Sequence, residues 1–266
     1  MMPRLAGLRP RWPFRRRQAV RQADGGARVG NQVPEERVAA MFDEIAPVYD
    51  RLNSLMTLGL DGRWRRAAVR ASGVRSGGSA VDLACGTGKL SAALAARVGP
   101  FGRVLAIDLS RGMIDRARTA YPDLVQLAFD VANALDVPVP DDTFDAATIA
   151  FGLRNLSDFE AGFREMGRVV GEGGKVVCLE LSQPRPGTWA AAYHSVFRWS
   201  APLLGALFGH GRAYGYLPRS LGGFPDADEL AATMRRAGLA DVSFRRLAMG
   251  AVALHVGRVP PEAPPA

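Results

Sequence analysis

A carboxylate, a glycine loop and a second carboxylate, spaced as the sequence spaces them, could hold a nucleoside. The stretch AVDLACGTGKLSAALAARV, residues 80–98, carries Asp82 near the end of a short apolar run, turns through Gly86 and Gly88, and continues with apolar residues at helical spacing. Glycines at such a turn let backbone N–H groups approach a ligand. A phosphate-binding loop needs Ser or Thr after Gly-Lys and a glycine five positions before the second one; Leu90 and Leu83 stand there instead. A dinucleotide fingerprint would put its third glycine where Ser91 stands. The next apolar run, GRVLAIDLS, ends at Asp108, twenty residues after Gly88. A carboxylate at that spacing can accept hydrogen bonds from both ribose hydroxyls of an adenosine. The alternative is a helix cap, by Asp108 or Ser110, for the helical RGMIDRARTAY.

The elements that must position these residues follow from periodicity. Residues 34–72 read as a helical leader with breaks near Pro47 and Gly59. Strands are expected at 79–83, 103–107, 124–128, 144–150 and 175–181, separated by helical runs or loops, which implies a parallel, doubly wound α/β sheet. DVSFRRLAM and AVALHVGR are joined by little more than Met249 and Gly250, so they must pair antiparallel. The expectation is one Rossmann-like domain over 35–258, with a mostly parallel seven-stranded sheet closing in an antiparallel hairpin. A helical insertion is expected at about 184–220, a basic tail at 1–34 and a Pro-rich tail at 259–266.

Composition bounds the function. With 266 residues and 48% apolar content the chain can bury one full α/β core. Residues 1–30 hold eight arginines and one acid, Asp24, so nearly all of the net +8 lies there. The body is close to neutral, which argues against a nucleic-acid partner. The tail reads as disordered, as a polybasic contact to anionic lipid, or as residues upstream of the true start; no secretory signal fits. Cys85 and Cys178 fall in apparent core strands or their edges and imply a reducing compartment. The only histidines are His194, His210 and His255, and no metal-ligating spacing appears, so no metal is expected.

The pattern D-x-A-x-G-x-G formed by Asp82, Ala84, Gly86 and Gly88 resembles the S-adenosylmethionine loop of Rossmann-like methyltransferases. That cofactor carries no phosphate, so its loop needs close backbone approach and polar contacts rather than an anion cradle. The stretches YDRLNSLMTLGLDGRW, DLACGTGK, FGLRNLSD, GRVVGEGGKVVCLELSQP and YGYLPRSLGGFP, together with the closing GAVALHVG, are more particular. From about residue 36 to 258 the chain resembles the C-methyltransferases of ubiquinone and menaquinone biosynthesis, acting on demethylmenaquinol first among the candidates.

The resemblance implies S-adenosylmethionine as cofactor, held by Asp82, Gly86, Thr87, Gly88, Asp108, Asn133, Ala134 and Ala150. Asn133 also has a plain reading as a turn residue. Arg154 and Asn155 are the expected catalytic pair, with Arg154 stabilising a phenolate or orienting a water; its alternative is an ion pair with Asp158. His194 is a rival base or a packed side chain, and His255 reads as structural. The implied substrate is an apolar prenyl quinol, read by the aromatic segment TWAAAYHSVFRWSAPLLGALFG as a lid or membrane-facing pair of helices, or else that segment is core packing. A peripheral membrane contact and a homodimer are left open, with the chain in the cytoplasm or at the inner face of the cell membrane. Other readings are a methyltransferase for another apolar small molecule, or a non-catalytic cofactor-binding relative. Four departures from the family stand out. Lys89 replaces an Asp, Asp61 a His, and Ala150 a Ser, while VVGEGG replaces the usual Lys-Pro-Gly-Gly. The Lys89 stem is expected to carry its charge into solvent.

Overall fold

A computed structural model describes residues 30–57, 59–184 and 223–261. Most of the expected basic tail, helical insertion and Pro-rich tail, with His194, lies outside these residues. The leader folds as α1 (Glu35–Ile45), α2 (Tyr49–Met56) and α3 (Asp61–Ser72), broken at the expected places. Five strands follow, with a helix between each successive pair except β3 and β4: β1 (Ser79–Leu83), α4 (Lys89–Val98), β2 (Arg103–Asp108), α5 (Arg111–Ala120), β3 (Leu127–Val131), β4 (Phe144–Ala150), α6 (Phe159–Arg168) and β5 (Val170–Leu181). The chain closes with α7 (Ala227–Arg236), β6 (Ala240–Leu247) and β7 (Val252–Arg258).

The seven strands form one sheet in the order β3-β2-β1-β4-β5-β7-β6. β1 to β5 are parallel where they pair, and β7 lies antiparallel between β5 and β6. The link between β6 and β7 is the short turn Ala248–Gly250, too short for any crossover. Strand order reverses between β1 and β4, and open α/β sheets bind ligands in the crevice at the carboxyl ends flanking such a reversal.

The pleat explains the apolar runs. Val81 and Leu83 of β1 face one buried layer together with Ile107, Ile149 and Phe163, while Ala80 faces another with Leu94, Val104 and Leu179. Both faces are covered, so the central strands are mostly apolar on both faces rather than alternating, with Asp82 and Thr148 the buried polar exceptions in β1 and β4. β3 begins three residues later than expected: Leu124 and Val125 belong to a turn, with the Val125 N–H donating to the Asp123 carbonyl and the Leu127 N–H to the Leu124 carbonyl. β5 begins five residues early because residues 170–174 pair irregularly with β4 before the regular ladder at Lys175. Ser110 caps α5, its Oγ accepting from the Met113 N–H at 3.1 Å. Asp226 caps α7 in a capping box with Glu229.

Gly88 closes the loop between β1 and α4 in the left-handed region, at φ +82°. A Cβ there would also lie 2.8 Å from the ring of Phe129 on β3. Gly88→Ala is therefore expected to lower stability by about 1–3 kcal/mol, from backbone strain and overpacking together. Urea unfolding at neutral pH checks this, and a change below about 0.5 kcal/mol would mean the loop relaxes freely.

Candidate active site

Two carboxylates at the ends of neighbouring strands anchor the glycine loop. Asp82 is buried; its Oδ2 accepts from the Ser91 hydroxyl of α4 at 2.6 Å and its Oδ1 from the Thr148 hydroxyl of β4 at 2.7 Å. Burial pushes its carboxyl up to about 6, against the opposing pull of those two hydroxyls. Asp108 ends β2, where its Oδ2 accepts from the Gly86 N–H at 2.8 Å and its Oδ1 from the Ser110 N–H at 2.9 Å. Burial raises its pKa too. The helix-capping alternative for Asp108 gives way to Ser110, while the carboxylate ties the loop after β1 to the end of β2.

The leader covers this edge, and acidic side chains fasten it. The Glu35 carboxylate accepts from Asn133 Nδ2 at 2.8 Å and from the Ser157 hydroxyl at 2.6 Å. Asp43 accepts from the Ser110 hydroxyl at 2.5 Å and the Gly112 N–H at 2.8 Å. Asp50 accepts from the Thr87 hydroxyl at 2.8 Å and pairs with Lys89 at 3.2 Å. The Lys89 side chain, expected to carry its charge into solvent, is partly exposed and meets the partly exposed Asp50 there. Asp50 matches its charge beside the loop.

These contacts enclose one cleft at the carboxyl edge of β1, β2 and β4. Asp82, Gly86, Thr87, Asp108, Asn133, Ala134, Ala150 and Asn155 all line it. Gly88 does not; its part is to shape the loop. Asn133 is also the turn residue of its plain reading, since its Oδ1 accepts from the Leu135 N–H at 2.8 Å. Ala150 ends β4 and the chain turns at Phe151, at φ +59°. Gly152 is required next because a Cβ there would lie 2.5 Å from the Ala84 side chain. The loops after β1 and β4 thus touch, which explains the Phe-Gly pair.

Arg154 is absent from the cleft lining among the described residues. It is buried, and its Nη1 donates to the Glu180 carboxylate and to the Phe151 carbonyl, both at 2.6 Å. The ion-pair alternative is also corrected: the partner is Glu180, and Asp158 instead caps α6 by accepting from the Ala161 N–H. His255 is buried against α7, where its Nε2 bonds to the Ala227 carbonyl at 2.8 Å and burial lowers its pKa, as a structural histidine requires.

Phe42, Tyr49 and Arg65 line the cleft from the leader and Glu35, Asp43 and Asp50 fasten it, none of them expected from the sequence. A signal was present: acids at 35, 43 and 50 recur about every two helical turns. The donor set suits a nucleoside without phosphates. It offers a carboxylate for ribose hydroxyls, an apolar wall and an amide-bearing turn, while Lys89 beside the glycine loop is already matched by Asp50.

The Asp82 shift fixes a pH dependence. Its ordinary carboxyl pKa is 3.8 and its folded value about 6. Between those values the folded chain holds a proton that the unfolded chain has released. Stability therefore falls as pH rises from about 4 to about 6, by up to ~1.4 kcal/mol per pH unit, and this contribution is flat above. Asp82→Asn is expected to remove that slope, measured as the difference between wild-type and variant unfolding curves. Parallel curves from pH 4 to 7 would contradict it.

Across residues 31–259 the chain matches the ubiE/COQ5 methyltransferase family. It is 39% identical over 229 residues to a demethylmenaquinone methyltransferase of Geobacillus sp. (strain WCH70), covering 85% of this chain and 98% of that one. It is 40% identical over 237 residues to a ubiquinone/menaquinone biosynthesis C-methyltransferase of Hahella chejuensis, covering 85% and 94%. Among solved structures, the cyclase SpnF superposes with a TM-score of 0.65 at 16% identity, over 87% of this chain and 99% of that one. A SAM-dependent methyltransferase of Thermotoga maritima superposes with a TM-score of 0.57 at 17% identity, over 83% and 98%. At such identities the likeness is one of fold alone, and a cyclase shares it. The sequence identity reaches further: sustained over nearly the whole length of its relatives, it makes this chain a member of the ubiE/COQ5 methyltransferase family and an S-adenosylmethionine-dependent methyltransferase.

Proposed function

We propose that the chain methylates a ring carbon of a demethylated prenyl quinol, with demethylmenaquinol as the first substrate. The observation that carries this is the match to relatives named demethylmenaquinone methyltransferase over 98% of their length. The apolar lining supports it: Val38, Phe42, Leu109, Phe151 and Leu156 border the same cleft as the acidic cofactor residues. No described helix is long and apolar enough to cross a membrane. On this reading a membrane-borne quinol is reached by peripheral contact, for which the arginines of residues 1–30 are suited in composition.

Bound S-adenosylmethionine supplies an electrophilic methyl group on a sulfonium. The ring carbon becomes a nucleophile when the neighbouring phenol loses its proton, and a phenol titrates near about 10. The chain must therefore favour phenolate, align the carbon and exclude water. Asn155 lines the cleft and has an amide able to donate to a phenolate. Arg154 acts on this reading as a positioning residue. Its guanidinium, held by Glu180, fixes the Phe151 carbonyl and so the wall against which an acceptor ring would lie. The charge offered for direct phenolate contact is already matched by a carboxylate of the chain.

Purified protein given S-adenosylmethionine and a short-chain demethylmenaquinol is expected to yield the ring-methylated quinol by mass spectrometry. Asn155→Ala should lower turnover about ten- to thousand-fold, by analogy with a removed oxyanion donor. Raising pH from 6 to 10 should recover part of the loss, because phenolate then forms without help. No ring-methylated product would overturn the substrate assignment. Wild-type turnover in the variant would remove Asn155 from the chemistry.

A further inference from the structure

Arg65 of α3 lines the cleft, and its guanidinium is built into place. Nη1 pairs with the carboxylate of Asp61, which is buried one turn earlier and also accepts from the Thr57 hydroxyl at 3.3 Å. The guanidinium carbon lies 5.6 Å from the centroid of the Phe151 ring, the residue that turns the chain after β4. The Arg65 side chain is only 12% exposed, and its Nε and Nη2 donate to no group among the described residues. A rigid, nearly buried guanidinium with one edge committed and donors left over at a cleft wall is suited to a ligand carboxylate.

Its place along the sheet edge says which carboxylate. Asp108 ends β2 and the Asn133 and Ala134 pair follows β3, so the groups suited to ribose and adenine lie on the β2 and β3 side. In the order β3-β2-β1-β4, Ala150 and Phe151 lie at the far side of the glycine loop, about 14 Å from β3 at three strand spacings. A nucleoside laid across this edge with its sugar at Asp108 brings its amino-acid end to Phe151, where Arg65 stands. All three cations of the region carry an ion pair, Arg65 with Asp61, Lys89 with Asp50 and Arg154 with Glu180, but Arg154 does not line the cleft and Lys89 sits beside the glycine loop, whereas Arg65 lies against Phe151.

We propose that Arg65, oriented by Asp61, receives the α-carboxylate at the amino-acid end of the cofactor and makes the cleft selective for nucleosides that carry it. The proposal rests on the cofactor assignment of the cleft and is independent of the methyl acceptor. The test is calorimetric titration of wild type, Arg65→Gln, Arg65→Lys and Asp61→Asn with two ligands. S-adenosylhomocysteine has the amino-acid end; 5′-methylthioadenosine shares the nucleoside and sulfur but lacks it.

Arg65→Gln is expected to weaken S-adenosylhomocysteine about ten- to hundred-fold, as for loss of charge-assisted hydrogen bonds, and 5′-methylthioadenosine by less than about twofold. Arg65→Lys should recover only part of the loss, because the planar fork is gone. Asp61→Asn should shift the same ligand selectively but less. Binding of 5′-methylthioadenosine by each variant also reports that its site is folded. Equal weakening of both ligands would overturn the proposal in favour of a structural Arg65. Unchanged affinity for both, including any case where only turnover falls, would overturn it in favour of an acceptor role. Wild-type protein that binds neither nucleoside would overturn it together with the cofactor assignment. Because the readout is binding, a chain that fails to methylate the quinol gives the same comparison.

Discussion

Asp82 and Asp108 are ionisable groups in places where a protein interior penalises charge, and they persist there because each ties elements together. Asp82 joins β1 to α4 through Ser91 and to β4 through Thr148. Asp108 joins the end of β2 to the loop after β1 through the Gly86 N–H. Burial raises both carboxyl pKa values, so desolvation opposes the charged form of both carboxyls that border the cleft. Such groups cluster where a fold is built around a ligand rather than for stability alone.

The leader completes that arrangement from outside the sheet. Glu35, Asp43 and Asp50 each accept hydrogen bonds from a loop at the carboxyl edge, and two of the donors, Asn133 and Thr87, themselves line the cleft. The same carboxylates set the local charge balance. Asp50 pairs with Lys89 beside the glycine loop. A departure in the glycine loop is thereby matched by a residue nearly forty positions away in the chain.

Local features were legible in the sequence and distant ones were not. The glycine loop, Asp108 and the β1 to β2 spacing are short-range patterns, and the structure brings them together as the spacing implied. The β6 to β7 hairpin was legible because its linker permits nothing else. β3 was misplaced because Leu124 and Val125 are apolar yet follow Pro122 and Asp123 into a turn, and periodicity over a few residues cannot separate the two. The partner of Arg154 was misread for a different reason: Asp158 lies one turn away in sequence, but Glu180 reaches Arg154 through the pairing of β4 with β5. Arg65 was invisible because its pairing with Asp61 looks like any surface i,i+4 pair until α3 is packed against the sheet.

We propose that the carboxylate ending β2, which holds the glycine loop, also receives the sugar of the cofactor. Calorimetric titration of Asp108→Ala with S-adenosylhomocysteine tests it most directly. Affinity is expected to fall about ten- to hundred-fold, the cost of roughly 1.5–3 kcal/mol for lost charge-assisted hydrogen bonds. Unchanged affinity would contradict it and leave Asp108 as a tether between strand and loop.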